Sequence, residues 1–120
     1  MNMTKKRVAE LEGAQLNWAV AVSEGNEPAW FDMNPPKHTV RINGRADSYD
    51  PSGSWEQGGP IIEREEGSVS HWSKVERHAA WIADMGLDMR RYRCTGPTAL
   101  IAAMRAFVAS KLGDEVEVPE

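Results

Sequence analysis

The chain predicts an α+β fold, a small antiparallel sheet packed against a long C-terminal helix and a short N-terminal helix. Three observations predict it. One apolar stripe runs through Leu100, Ile101, Met104, Phe107, Val108 and Leu112, a shorter one runs through Leu16, Ala19, Val20 and Ser23, and Thr39-Val40-Arg41-Ile42 alternates just ahead of Asn43-Gly44. Spacings of three and four mark one face of a helix, whereas period-two alternation ending in Asn-Gly marks a strand entering a hairpin. With 120 residues, of which 41% are apolar, the chain is expected to build one core over a single domain, 1–120.

The first helix is expected over Ala14–Glu24, with Gly25 as its left-handed stop and Leu11 packed beneath its start. The stretch from Gly25 to Pro36 reads as loop, punctuated by Pro28, Pro35 and Pro36. The strand Thr39–Ile42 follows, with a weaker return strand over Arg45–Tyr49. A second loop is expected over Asp50–Pro60, which holds three glycines and two prolines, and Ile61-Ile62 then reads as a short buried strand or turn. Residues 68–86 fit two patterns: Trp72, Val75, Ala79 and Ile82 keep helical spacing before Gly86, while Trp81-Ile82-Ala83 suits a strand.

The last helix is expected over Pro97–Leu112, with the proline in its first turn, Lys111 near its negative end and Gly113 as its stop. It would span roughly 24 Å at 1.5 Å per residue and serve as the main support of the core. Asp114, Glu115, Glu117 and Glu120 read as a short acidic tail, 114–120.

The net charge is −4, from 14 basic and 18 acidic residues, so the overall field does not attract nucleic acid or an anionic membrane. Two basic clusters act against that average, Lys5-Lys6-Arg7 and Arg90-Arg91-Tyr92-Arg93. A single cysteine, Cys94, allows no internal disulfide and suits a reducing cytoplasm. The polar start is no secretory signal, and no apolar run approaches the roughly 18 residues that span a bilayer. A soluble cytoplasmic protein without membrane contact is expected.

Several blocks occur in an order that resembles a known family. They are Leu11-x-Gly13-x-x-Leu16-x-Trp18-Ala19-Val20, then Trp55-x-Gln57-Gly58-Gly59-Pro60-Ile61-Ile62-Glu63-Arg64, then Gly96-Pro97-Thr98-x-Leu100-Ile101-Ala102-Ala103-Met104-Arg105. Val108-Ala109-Ser110-Lys111-Leu112-Gly113 and Glu115-Val116 follow. Together they resemble the NinX-like phage proteins, small products of temperate tailed phages and of prophages. The resemblance implies a phage or prophage origin and a bacterial cytoplasmic setting, and it carries no catalytic residues. It also implies a variable antiparallel region with a Trp-x-Ala element, echoed by Trp81-Ile82-Ala83, which favours strands within 68–86.

Sites that carry chemistry are sparse. His38, His71 and His78 lack the spacing of a metal site, which needs three or four converging ligands, and no CxxC or HExxH is present. Cys94, just after Arg93 and just before a helix start, has two influences that lower a thiol pKa, but no motif supplies a base. Arg90, Arg91 and Arg93, beside the N–H groups near Gly96, Thr98 and Ala99, form a candidate anion site, with Tyr92 as a stacking ring. If that stretch is a strand, Arg91 and Arg93 face outward and Tyr92 inward. The glycine-rich stretch lacks the GK[ST] of a P-loop. There Tyr49, Trp55, Gln57, Gly58, Gly59 and Pro60 form a candidate interaction loop, although Trp55 reads first as a plug for the core.

The expected function is therefore a non-catalytic phage accessory module, binding or regulatory, that acts on a host or phage protein and needs no cofactor. The alternative is a nucleic-acid-associated accessory protein using Arg90, Arg91 and Arg93. An enzyme acting through Cys94 or a carboxylate ranks last.

Overall fold

The computed structural model describes residues 2–32, 37–72, 80–86 and 92–120. In chain order these form β1 (Met3–Arg7), a 3-10 turn (Val8–Glu10), α1 (Gly13–Ser23), β2 (Pro28–Asp32), β3 (His38–Ile42), α2 (Trp55–Arg64), β4 (Ser68–His71), β5 (Trp81–Met85), β6 (Tyr92–Gly96), α3 (Ala99–Leu112) and β7 (Glu115–Pro119). The architecture is α+β. The expected single sheet is instead three small antiparallel sheets among the described residues: the pair β1–β7, the pair β2–β3, and β4–β5–β6 with β5 central.

α3 is the axis of the fold. Thr98 caps it, its hydroxyl oxygen accepting from the Ile101 N–H at 3.1 Å, and Gly113 at φ +91 ends it. Pro97 thus sits outside the helix rather than in its first turn. An apolar stripe alone would bury one face, but every residue from Ala102 to Ala109 is buried. The alanines between the large side chains let α1 and the three-stranded sheet approach from different sides. Phe107, Met104, Leu16, Leu11, Val20 and Met85 are fully enclosed, and burying each contributes about 1.5–3 kcal/mol.

α1 follows the expected pattern, and its end closes as a Schellman motif. Gly25 at φ +79 donates to the Val22 carbonyl at 3.0 Å, and Asn26 donates to that of Ala21 at 2.9 Å. The supposed acidic tail is a strand, β7, with Val116 and Val118 buried. Its partner β1 sets Lys5 opposite Glu117 and Arg7 opposite Glu115, so the basic start neutralises the acidic end across a ribbon.

Asn43 (φ +52) and Gly44 (φ +72) do form the tight turn, with the Arg45 N–H donating to the Ile42 carbonyl at 2.9 Å. The strand returning from it does not form. β3 pairs instead with β2, inside the stretch that reads as loop, and Pro28 is tolerated because it opens that strand. Within 68–86, the described residues are strands at both ends, Ser68–His71 and Trp81–Met85, while Val75, His78 and Ala79 lie outside the described residues.

Candidate functional site

The glycine-rich stretch begins as a buried polar turn. The Asp50 carbonyl accepts from the N–H groups of Gly53 (3.2 Å) and Ser54 (2.8 Å). Asn17, buried on α1, donates to the Asp50 carboxylate at 2.9 Å, and its amide oxygen accepts from the Ser52 N–H (3.0 Å) and hydroxyl (2.7 Å). Buried polar groups are tolerated only when paired, and here Asn17 and Ser52 satisfy each other.

This turn launches a helix where a loop was expected. The Ser54 carbonyl accepts from Gln57 (3.1 Å) and Gly58 (2.8 Å), and α2 continues through Gly59 and Pro60 to Arg64. Ile61 is therefore buried on a helix, not on a strand. Gly58 is required for close approach: a β-carbon there would lie 2.3 Å from the Pro51 carbonyl oxygen and 2.7 Å from Leu100 Cδ2. Gly59 is open, its nearest neighbour being Trp55 Cε3 at 3.9 Å. Trp55 does not plug the core. It stands on the first turn of α2 with 58% of its surface exposed, while Ile61 is the residue of α2 that enters the core and Gly58 lies against Leu100.

Of the six residues expected to form the interaction loop, Tyr49, Gln57 and Pro60 line a cleft of about 490 Å³ between α2 and the segment 42–49. Gln57 ties its two walls, accepting from the Asp50 N–H at 2.8 Å and donating to the Ser48 carbonyl at 3.3 Å. The Tyr49 phenol is pushed up to about 12, first by burial and then by Glu24, so it stays a neutral donor. Trp55 faces a separate notch of about 180 Å³ beside Thr98 and Ala99.

A chain of ion pairs borders the cleft. Arg64 donates to Glu24 at 2.9 Å and to Glu65 at 3.1 Å, and Lys111 lies 3.2 Å from Glu65. The Arg64 and Lys111 cations also sit 5.7 Å and 5.8 Å from the centre of the Phe107 ring. Burial alone would push the Glu65 carboxyl up, but hydrogen bonds from Arg64 and Lys111 together with their charges outweigh it and hold the group below its ordinary value.

The candidate anion site is not assembled by its described members. Arg93 points outward from β6 and is held by Asp84, at 2.9 Å and 3.3 Å. Gly96 is the buried end of β6, where a β-carbon would meet the Ala102 nitrogen at 2.8 Å, and the Thr98 hydroxyl is spent on Ile101. Arg90 and Arg91 lie outside the described residues. Cys94 departs from expectation in the other direction. Its thiol is half-buried on the core side of β6 and is pushed up by burial, with Arg105 opposing and Asp114 reinforcing the rise. His38 contacts Asp32 at 2.5 Å and stacks on Trp30, and His71 packs against Trp81. Among the described residues no group of three or more His, Cys, Asp or Glu is placed to hold a metal ion.

Sequence reasoning missed Arg105, a guanidinium only 6% exposed in the middle of α3. Its Nε donates to the Leu11 carbonyl at 2.7 Å and its Nη1 to that of Thr95 at 2.8 Å. The signal was present, since Arg105 interrupts the longest run of apolar residues and alanines in the chain. The Glu24–Arg64–Glu65–Lys111 series left a fainter trace: Arg64 and Glu65 adjoin in a charged stretch, but Glu24 and Lys111 lie 40 or more positions away and join them only through the fold.

The family model described as bacteriophage P22 NinX matches residues 7–111, so the chain belongs to that phage protein family. No curated protein matches it. No helix among the described residues is long and apolar enough to cross a membrane.

Proposed function

We propose that this member of the NinX family is a non-catalytic accessory module that binds a protein partner in the bacterial host, using the outward side of α2 and the adjoining cleft. One observation carries the reading: Trp55 is 58% exposed at the start of a helix that meets the core through Ile61. An indole left in water forgoes a large burial gain, and a partner that covers it recovers that gain, which is why tryptophan dominates so many interfaces. The remaining chemistry supports binding over catalysis. The Glu24, Arg64, Glu65 and Lys111 side chains are engaged with one another, and the Cys94 thiol is held away from its reactive form. The phage setting and the reducing cytoplasm expected from the sequence belong to the same reading.

The test is an affinity pull-down of the tagged protein from host cells, with and without nuclease. A specific protein retained after nuclease and lost with Trp55→Ala, while that variant keeps its circular dichroism and melting cooperativity, is the expected result. Recovery that collapses on nuclease treatment transfers the function to nucleic acid. Retention of the same partner by Trp55→Ala removes α2 from the binding surface.

A further inference from the structure

α2 holds itself together poorly. Gly58, Gly59 and Pro60 stand consecutively inside it; relative to alanine, each interior glycine weakens a helix about fivefold and an interior proline about a hundredfold. Pro60 also has no N–H to give the Glu56 carbonyl one turn earlier. Ser54 supplies only its carbonyl at the start, with no side-chain cap. At the other end, Glu66 occupies the left-handed position at φ +51 that Gly25 fills after α1.

What fixes α2 comes from outside it. Ile61 enters the core, Gly58 abuts Pro51 and Leu100, and the Arg64–Glu24 and Glu65–Lys111 pairs tie it to α1 and α3. α3 is the opposite case, with a side-chain cap, a glycine stop and burial on nearly every face. A segment with weak local preference and a few discrete anchors is the kind that opens below the threshold of global unfolding.

We infer that α2 is a strap that opens as a unit while α3, the sheets and the Asn17-bound turn ahead of it stay folded. Opening frees the Trp55 surface from its fixed geometry and uncovers the Leu100 and Phe107 side of α3. The inference stands on helix energetics and does not depend on the partner reading.

Native-state hydrogen exchange of the full chain, followed residue by residue in low denaturant, tests it. The α2-dependent amides of Glu65 and Gly67, which donate to Ile61 and Ile62, should exchange at least about tenfold faster than those of Met104–Val108, with a denaturant dependence that is measurable but smaller than theirs. Pro60→Ala should slow Glu65 and Gly67 by about tenfold or more. Val118→Ala, a cavity in β7 away from α2, should speed Met104–Val108 and leave Glu65 and Gly67 unchanged. Equal protection and equal denaturant dependence in α2 and α3 would overturn the proposal. So would no response of Glu65 and Gly67 to Pro60→Ala, or their moving in step with α3 in Val118→Ala.

Discussion

The Arg105 side chain reaches back across the core to the main chain of Leu11, 94 positions earlier, with Nε 2.7 Å from the carbonyl oxygen. A second bond to Thr95 fixes the same guanidinium to the end of β6. Among the described residues no carboxylate bonds it; the charge is carried by main-chain carbonyls, with Glu12 acting only at a distance. Hydrogen bonds to a charged group contribute about 1.5–3 kcal/mol each, and losing them strands the buried Leu11 carbonyl. Arg105→Ala should therefore lower unfolding free energy by about 3 kcal/mol or more. Arg105→Lys, whose single ammonium nitrogen lacks the two separated donor nitrogens that reach Leu11 and Thr95, should recover only part of that. Urea midpoints for the two variants decide it.

Glu65 makes stability depend on pH. Its carboxyl is held lower in the folded chain than in the unfolded one, although burial pushes the other way. Its contribution is therefore complete above the unfolded value and is lost as the pH falls through the folded one. Melting temperatures of the parent protein should drop through the acid range from about pH 5 downward, where carboxylates titrate. Glu65→Gln should melt lower than the parent at neutral pH, because Arg64 and Lys111 lose their shared acceptor, and should show a shallower acid slope. An unchanged slope would mean that other carboxylates carry the acid sensitivity.

Glu66 sits where α1 places Gly25. Both helices close with the same pair of bonds; after α2, Glu66 donates to Glu63 at 3.1 Å and Gly67 to Ile62 at 2.9 Å. A side chain at φ +51 is strained, by about 1–2 kcal/mol, and glycine gives part of that back in backbone entropy. Glu66→Gly should raise stability by about 0.5–1 kcal/mol, while Gly25→Ala should lower it. Thermal melts of the two variants give opposite signs if the cap geometry is responsible.

Cys94 should label slowly. With the thiol pushed up by burial, little thiolate is present near neutrality. A disulfide reagent should react with the native chain far more slowly than with the chain in denaturant. Equal rates would put the sulfur at the surface and restore the case for reactivity.

The sequence made some elements legible because one physical cause dominated them. α1 and α3 show helical spacing, and Gly25 and Gly113 mark their ends. β7 was hidden because alternating glutamates read as a tail until a basic partner strand is laid beside them. β2 was hidden by Pro28, which is harmful only inside a ladder. α2 was the most instructive departure. Gly58-Gly59-Pro60 signals a loop by local preference, yet tertiary contact selects a helix, because only a residue without a β-carbon fits between Pro51 and Leu100. Trp55 followed the same logic: its place in the sequence suggested a plug, and the turn of α2 sends it outward. The notable residues of the cleft edge, Glu24, Arg64 and Lys111, come together only through the fold.

The β1–β7 ribbon brings Asn2 and Glu120 into contact, the Glu120 N–H donating to the Asn2 carbonyl at 3.0 Å. Closing a loop of that length costs about 4 kcal/mol of chain entropy. The packing of α1 on α3 spans nearly the same separation, so the ribbon and the helical interior share that cost, and contacts between such distant parts of a chain form slowly. The same adjacency makes the topology nearly circular: a short peptide joining the two ends would remove the closure cost and let the chain be opened elsewhere, for instance at the Asn43-Gly44 turn, with the helices and sheets in place.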